Sequence, residues 1–166
     1  MRCLQPVEKK YELTRSCLEI LSKHAWPVTV QTKSPLVIRD LELLKKIRDV
    51  EVGFTITTAD DGIREVFEPR SSAIDERIEA LDRLHSEGIK TFAMIAPLLP
   101  QTEGLASQLR GKVDYVLVDK MNYHYADWVY RKSGLEYAMS GSFFDSKKKE
   151  LVGAFEKEGI SCQVLF

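Results

Sequence analysis

The chain has 166 residues, a formal net charge of −1, 44% hydrophobic residues and 30% charged residues of both signs, the balance of a folded domain rather than a disordered one. With no global basic field, nothing in the charge points to nucleic acid. No apolar run approaches the ~20 residues of a membrane-spanning helix, and the N-terminal residues lack the apolar stretch of a secretory signal. Cys3, Cys17 and Cys162 are odd in number and widely spaced, which fits a reducing cytoplasm better than a disulfide framework.

Strands and helices alternate along the chain. Residues 8–23 read as a helix, with Tyr11, Leu13, Leu18, Ile20 and Leu21 supplying an apolar face and Trp26-Pro27 ending it. Residues 28–32 are short and β-branched, as a strand should be. Asp40 is placed to cap a helix over 41–47. A second strand is expected over 50–58, then a helix opened by Ser71 or Ser72, running through Leu84 and ended by Gly88. The third strand, 89–96, is stopped by Pro97 and Pro100. A short helix over 105–109 ends at Gly111, and 113–118 form the fourth strand. Residues 123–131 and 145–158 are expected as helices, the latter ended by Gly159, with 160–166 as the last strand.

Near-continuous apolar strands separated by helices indicate an α/β fold with a parallel sheet covered by helices, in one domain spanning 1–166. A doubly wound sheet and part of a (β/α) barrel both fit, and both place ligands at the C-terminal ends of the strands. No Gly-x-Gly-x-x-Gly turn or Walker A loop is present, which disfavours dinucleotide and nucleoside triphosphate folds.

Attention therefore falls on the strand tips: Thr32-Lys33-Ser34-Pro35, Thr55-Ile56-Thr57-Thr58 with Asp60-Asp61, Ala96-Pro97-Leu98-Leu99-Pro100, and Asp119-Lys120-Met121-Asn122. A lysine at a tip either holds a carboxylate or phosphate, forms a Schiff base when buried, or is a solvated residue opening a loop; Lys33 and Lys120 are the two to weigh. Glu68, in Glu68-Pro69-Arg70, either meets a ligand or simply pairs with Arg64 or Arg77. His24, His85 and His124 have no ligand-like spacing, the cysteines form no Cys-x-x-Cys pair, and no metal site follows. No Gly-x-Ser-x-Gly elbow exists. The run Tyr123-His124-Tyr125, Trp128, Tyr130 either stacks on a base or packs a helix with alternate members against the sheet.

Several stretches, in order, resemble spore-photoproduct-lyase-like proteins of the radical S-adenosylmethionine (SAM) superfamily. They are Gln5-Pro6-Val7-Glu8-Lys9-Lys10-Tyr11 with Thr14-Arg15 and Cys17 to Leu21; Val30-Gln31-Thr32-Lys33-Ser34 with Leu36 to Asp40; Val52 to Thr58; Glu68-Pro69; Arg77 to Ile89; and Ile95 to Pro100. The resemblance runs to about Asn122. It implies a partial TIM-like (β/α) barrel of about five parallel strands. It also implies that Lys33 faces the SAM carboxylate, that Thr55 and Thr57 lie near its ribose or methionine portion, and that the Ile95-Ala96-Pro97 backbone lies near its adenine.

That family binds a [4Fe–4S] cluster through Cys-x-x-x-Cys-x-x-Cys, a segment this sequence does not contain. Where the family has an Asp-Pro-Tyr-like stretch, this chain reads Arg2-Cys3-Leu4. Cluster chemistry requires thiolate ligands, so a [4Fe–4S] cluster is not expected in this chain alone, and the implied SAM site is a partial one. The leading expectation is a truncated radical SAM-like protein, inactive alone, acting as a homo-oligomer or with a polypeptide that completes the barrel. The alternatives are a non-catalytic binding module on the same scaffold, or a Schiff-base lyase using Lys33 or Lys120.

Overall fold

The computed structural model describes residues 7–166; Cys3, the Gln5-Pro6 pair and the Arg2-Cys3-Leu4 stretch lie outside the described residues. Five parallel strands form one sheet: β1 (Val28–Thr32), β2 (Val50–Thr55), β3 (Lys90–Ile95), β4 (Tyr115–Val118) and β5 (Ser161–Val164). Their spatial order is their chain order, β1-β2-β3-β4-β5. A doubly wound sheet reverses order at a switch point; this one does not, which is the progression of a (β/α) barrel segment.

The helices are α1 (Glu8–Tyr11), α2 (Leu13–Leu21), α3 (Leu41–Leu44), α4 (Asp61–Phe67), α5 (Ile74–Ser86), α6 (Leu105–Leu109), α7 (Asp127–Lys132) and α8 (Gly141–Lys157). One sheet face and the apolar sides of these helices make the core. Val28 and Val30, Val52 and Phe54, Ala93 and Ile95, and Val116 and Val118 pack with Leu44, Leu81, Leu84, Leu105, Leu151 and Phe155. Among the described residues no helix is long and apolar enough to cross a membrane.

The register places a different set of side chains on the other face. Gln31, Gly53, Phe92, Tyr115 and Ser161 form one cross-sheet row, and Thr55, Met94, Leu117 and Gln163 form the next row toward the C-terminal ends. The Phe92 ring lies over Gly53, where a Cβ would come within 2.1 Å of it, so any other residue has to displace the ring. Phe92 stacks on Tyr115 at 5.2 Å. The Tyr115 hydroxyl donates to Glu51 at 3.0 Å, and Glu51 also accepts from Thr29 and pairs with Lys90.

Several expected boundaries move. The helix expected over 8–23 is broken at Glu12, whose φ is +49°. The Glu8 carboxylate explains the break: it accepts from the Thr14 N–H at 3.0 Å, capping α2, and pairs with Arg39 at 3.3 Å. The apolar face expected there is largely unused. Leu18 is buried and Leu21 packs partly against the core, while Tyr11, Leu13 and Ile20 are exposed; ion pairs from Arg15 to the fully buried Asp40 and from Glu8 to Arg39 add to the segment's hold. Asp40 makes no side-chain cap; residues 35–40 form a 3₁₀ helix instead, and α3 keeps only the first four residues of the helix expected over 41–47.

Further along, β2 stops at Thr55 rather than Thr58, and α4 follows unforeseen, capped by Asp60, which accepts from the Ile63 N–H at 2.7 Å. Helix α5 starts later than expected because Ser71 is used elsewhere; its hydroxyl donates to the Glu68 carbonyl. Gly88 and Gly159 follow α5 and α8 with positive φ, as expected.

Candidate functional site

The strand tips meet on one rim, and Glu68 joins them. It ends α4, its N–H donating to the Arg64 carbonyl, while its own carbonyl accepts from the Ser71 N–H and hydroxyl. Its carboxylate has two distinct sides. Oε2 takes the Arg77 guanidinium at 2.9 Å; Oε1 meets Lys33 Nζ at 3.5 Å and accepts from the Thr57 hydroxyl at 3.4 Å.

Arg77 is fully buried and has every nitrogen engaged. Nε and Nη2 donate to the Ser72 carbonyl, Nη2 also to Ser71 Oγ, and Nη1 to the carbonyl of Thr55, the last residue of β2, at 2.8 Å. Burial lowers its pKa from the ordinary arginine value, and the Glu68 charge opposes that fall. Nearby, burial works to raise the Asp61 pKa, but the Ile74 N–H and Arg64 donate to its carboxylate and bring it below the usual value. The expected pairing of Glu68 is thus with Arg77; Arg64 pairs with Asp61 and Glu65.

Of the six sequence-derived site residues, Lys33 and Thr57 converge directly on Glu68. Thr55 is buried beside them, its hydroxyl accepting from Gln31 Nε2 at 3.1 Å. Ile95, Ala96 and Pro97 sit at the neighbouring tip of β3. The Ile95 side chain belongs to the core, its carbonyl accepts from the Asp119 N–H, and the Ala96-Pro97 peptide is cis. The segment then crosses back, with the Leu99 N–H on the Thr57 carbonyl at 3.1 Å, so the β3 loop is tied to the β2 tip. Thr58 points elsewhere, donating to the Pro100 and Gln101 carbonyls. Lys120 lies beyond β4, its Nζ 5.6 Å from the centre of the Phe166 ring. Two strands, β2 and β3, separate its strand from that of Lys33 in the sheet order.

Two clefts stand apart from this rim. One of about 430 Å³ lies at the opposite end of the sheet, among Lys45, Arg48, Asp49, Glu87 and Lys90. The other, about 260 Å³, lies beside α4 and α7, lined by Val66, Trp128, Val129, Lys132 and Ser133. The aromatic run near α7 departs from the helix-packing expectation: Tyr130 is buried, but Tyr123, Tyr125 and Trp128 are exposed. Only one turn of that helix faces the interior.

No group of three or more metal-ligating side chains occurs among the described residues. Cys17 is exposed on α2, which packs on α3; Cys162 is half-buried in the last strand, and burial pushes its thiol up to about 11. A protonated thiol at the far edge of the sheet is no partner for Cys17. The described residues do not fit a [4Fe–4S] cluster.

The radical SAM superfamily model matches residues 7–105. An uncharacterized protein of Methanocaldococcus jannaschii is 33% identical over 136 residues, covering 80% of this chain and 49% of that protein. An uncharacterized protein of Acidianus two-tailed virus is 31% identical over 91 residues, covering 54% of this chain and 30% of its own. A solved structure of spore photoproduct lyase complexed with dinucleoside spore photoproduct superposes with a TM-score of 0.63 at 16% identity, covering 99% of this chain and 59% of the lyase chain. A variant of the lyase with bound AdoMet gives 0.61 at the same identity. The likeness to the lyase is one of fold. The chain belongs to the radical SAM superfamily. It spans about half the length of the M. jannaschii relative.

Proposed function

We propose that this chain binds SAM on the rim formed by β1, β2 and β3, as part of a radical SAM protein. One observation carries the reading: in a chain of this superfamily, the Lys33 ammonium stands at the strand tips beside the Thr57 hydroxyl, held by a carboxylate that buried Arg77 fixes. The donor set suits the polar end of SAM. Lys33 supplies a cation for the carboxylate, and Thr55 and Thr57 supply hydroxyls toward the ribose or methionine portion. The backbone at Ile95, Ala96 and Pro97 borders the adenine. Next to a reduced [4Fe–4S] cluster SAM would supply radical chemistry; the described residues do not offer that cluster a ligand set, and their part in this reading is to bind and orient SAM.

Titration calorimetry with SAM tests the reading. An ammonium–carboxylate contact contributes roughly 1.5–3 kcal/mol. Lys33→Ala should therefore weaken binding by about ten- to a hundredfold. A flat isotherm for the parent chain, or equal affinity in the variant, overturns it.

The Schiff-base alternative finds no support: Lys33 is ion-paired, which favours the non-nucleophilic ammonium, and Lys120 is exposed. A reducing, cytoplasmic setting is part of the proposal, since Cys17 and Cys162 are both free thiols. Association with a second chain is a further reading, favoured by the edge position of β1 among the described strands and by the exposed Tyr11, Leu13, Ile20 and Trp26.

A further inference from the structure

We infer that Glu68 is a positioning residue, and that Arg77, Glu68 and Lys33 form one relay presenting a single cation at the rim to a mono-anionic group of the ligand. This rests on the SAM reading, and deepens it by naming what aims Lys33.

The relay begins at a fixed point. Arg77 has no exposed surface, and its guanidinium is bonded to the Thr55 carbonyl at the end of β2 and to the 71–72 segment. It cannot reach a ligand; its one outward effect is to hold Glu68 Oε2. Glu68 is also fixed through its backbone, between the Arg64 carbonyl and Ser71. Its side chain is only 12% exposed, so it too is largely withdrawn from solvent.

Oε1 then faces the rim, between Thr57 and Lys33. Lys33 is the most exposed of the three, with 40% of its side chain accessible. A lysine on four flexible carbons gives up rotamer freedom when it binds an anion, and a carboxylate that already restrains it reduces that loss. The charges agree with this task. Arg77 neutralises Glu68, so the net positive charge of the three resides at Lys33, where a carboxylate is neutralised in turn. On α4, Asp61 and Glu65 both pair directly with Arg64, and Asp61 reaches Arg77 only through its charge, without a hydrogen bond. A plain stabilising ion pair would need no second cation at the exposed end.

Two ligands separate positioning from structural support: SAM, and 5′-methylthioadenosine, which keeps the adenosine and sulfur but has no amino-acid end. Glu68→Gln should weaken SAM by about tenfold or more and leave methylthioadenosine within about twofold, while Glu68→Asp recovers part of the loss. Combined with Lys33→Ala, Glu68→Gln should add little, because both act through one ammonium. Equal losses for both ligands, or additive losses in the double variant, overturn the inference. A second readout needs no ligand. In ¹³C-lysine-labelled protein, the Lys33 Cε signal, assigned by its loss in Lys33→Ala, should titrate at higher pH in the parent than in Glu68→Gln, because the carboxylate favours the ammonium. Identical titrations defeat the relay. If the parent binds neither ligand, the SAM reading fails, and the titration still decides whether Glu68 holds Lys33.

Discussion

Gly53→Ala tests whether the sheet face below the rim is packed as described. A Cβ at this position would lie 2.1 Å from Phe92 Cζ and 2.2 Å from Cε2. Ordinary contact begins near 3.4 Å, so the ring must move by more than an ångström. It has little room: Phe92 is 3% exposed and stacked on Tyr115, whose hydroxyl is tied to Glu51. Overpacking of this kind costs about 1–3 kcal/mol. Replacing glycine inside a strand returns roughly 0.5–1 kcal/mol of backbone entropy; with the ring held on both sides the overpacking cost falls in the upper half of its range, and the net loss is about 1–2.5 kcal/mol. In a chain of this size that lowers Tm by roughly 2–10 °C. Urea unfolding should show a lower midpoint with an unchanged slope. Phe92→Leu, which removes the colliding ring, should be less harmful in the alanine background than in the parent, a favourable coupling of about 1 kcal/mol. A Gly53→Ala protein as stable as its parent, or additive effects in the cycle, would show that Phe92 does not lie over Gly53.

Acid should destabilise the fold. Burial tends to raise the pKa values of Glu8 and Glu51, but the hydrogen bonds and cations around them prevail, and both lie below the ordinary 4.5; Asp61 lies below its ordinary 3.8. Carboxylates depressed in the folded state contribute stability that is fully present above their ordinary pKa and lost as pH falls through the folded value. Unfolding free energy should therefore be flat with respect to these groups from pH 7 to about 5 and decline below about 4; equal urea midpoints at pH 6 and pH 3 would contradict the shifts. The chain should also self-associate through the β1 edge and the uncovered apolar side chains of α1 and α2. Light scattering that gives 19 kDa, unchanged on concentration, rejects this.

The parallel strands were legible because each carries a local signal. Val28 to Thr32, Val50 to Thr55 and Tyr115 to Val118 are rich in β-branched and aromatic residues, each preceded by proline or charge, whereas Ile56-Thr57-Thr58 continues the pattern past the end of β2 and hid that boundary; Gly88 and Gly159 end helices where a left-handed residue is required. The chain-order arrangement of the strands followed from the resemblance to a (β/α) barrel and not from any local signal, and the register was not legible, because it depends on which helix packs where. The N-terminal helix shows a local rule being overridden. Its apolar spacing suggested a buried stripe, yet Glu8 finds a better arrangement by capping α2 while pairing with Arg39, and the backbone breaks at Glu12 to allow it. Helix α4 was missed although Asp60 is a good N-cap, because two acids and a glycine after a strand read equally well as a loop.

The site divides along the same line. Lys33, Thr55 and Thr57 could be nominated from the rule that ligands sit at strand tips, but nothing local distinguishes a lysine that opens a loop from one that is aimed. What distinguishes Lys33 lies far along the chain, in Glu68 and in Arg77 on a different helix. Glu68 looked like half of an ordinary ion pair, and on its Arg77 side it is one. Its second oxygen gives it a different meaning, visible only when α4, the 68–72 turn and the tips of β1 and β2 are brought together. A fully buried arginine is expensive to desolvate and tolerated only when each donor is met. Here its donors are met by the β2 terminus, by the 71–72 segment and by the carboxylate that pairs with Lys33, so the same bonds that make Arg77 admissible in the core tie it to the half-buried lysine at the β1 tip.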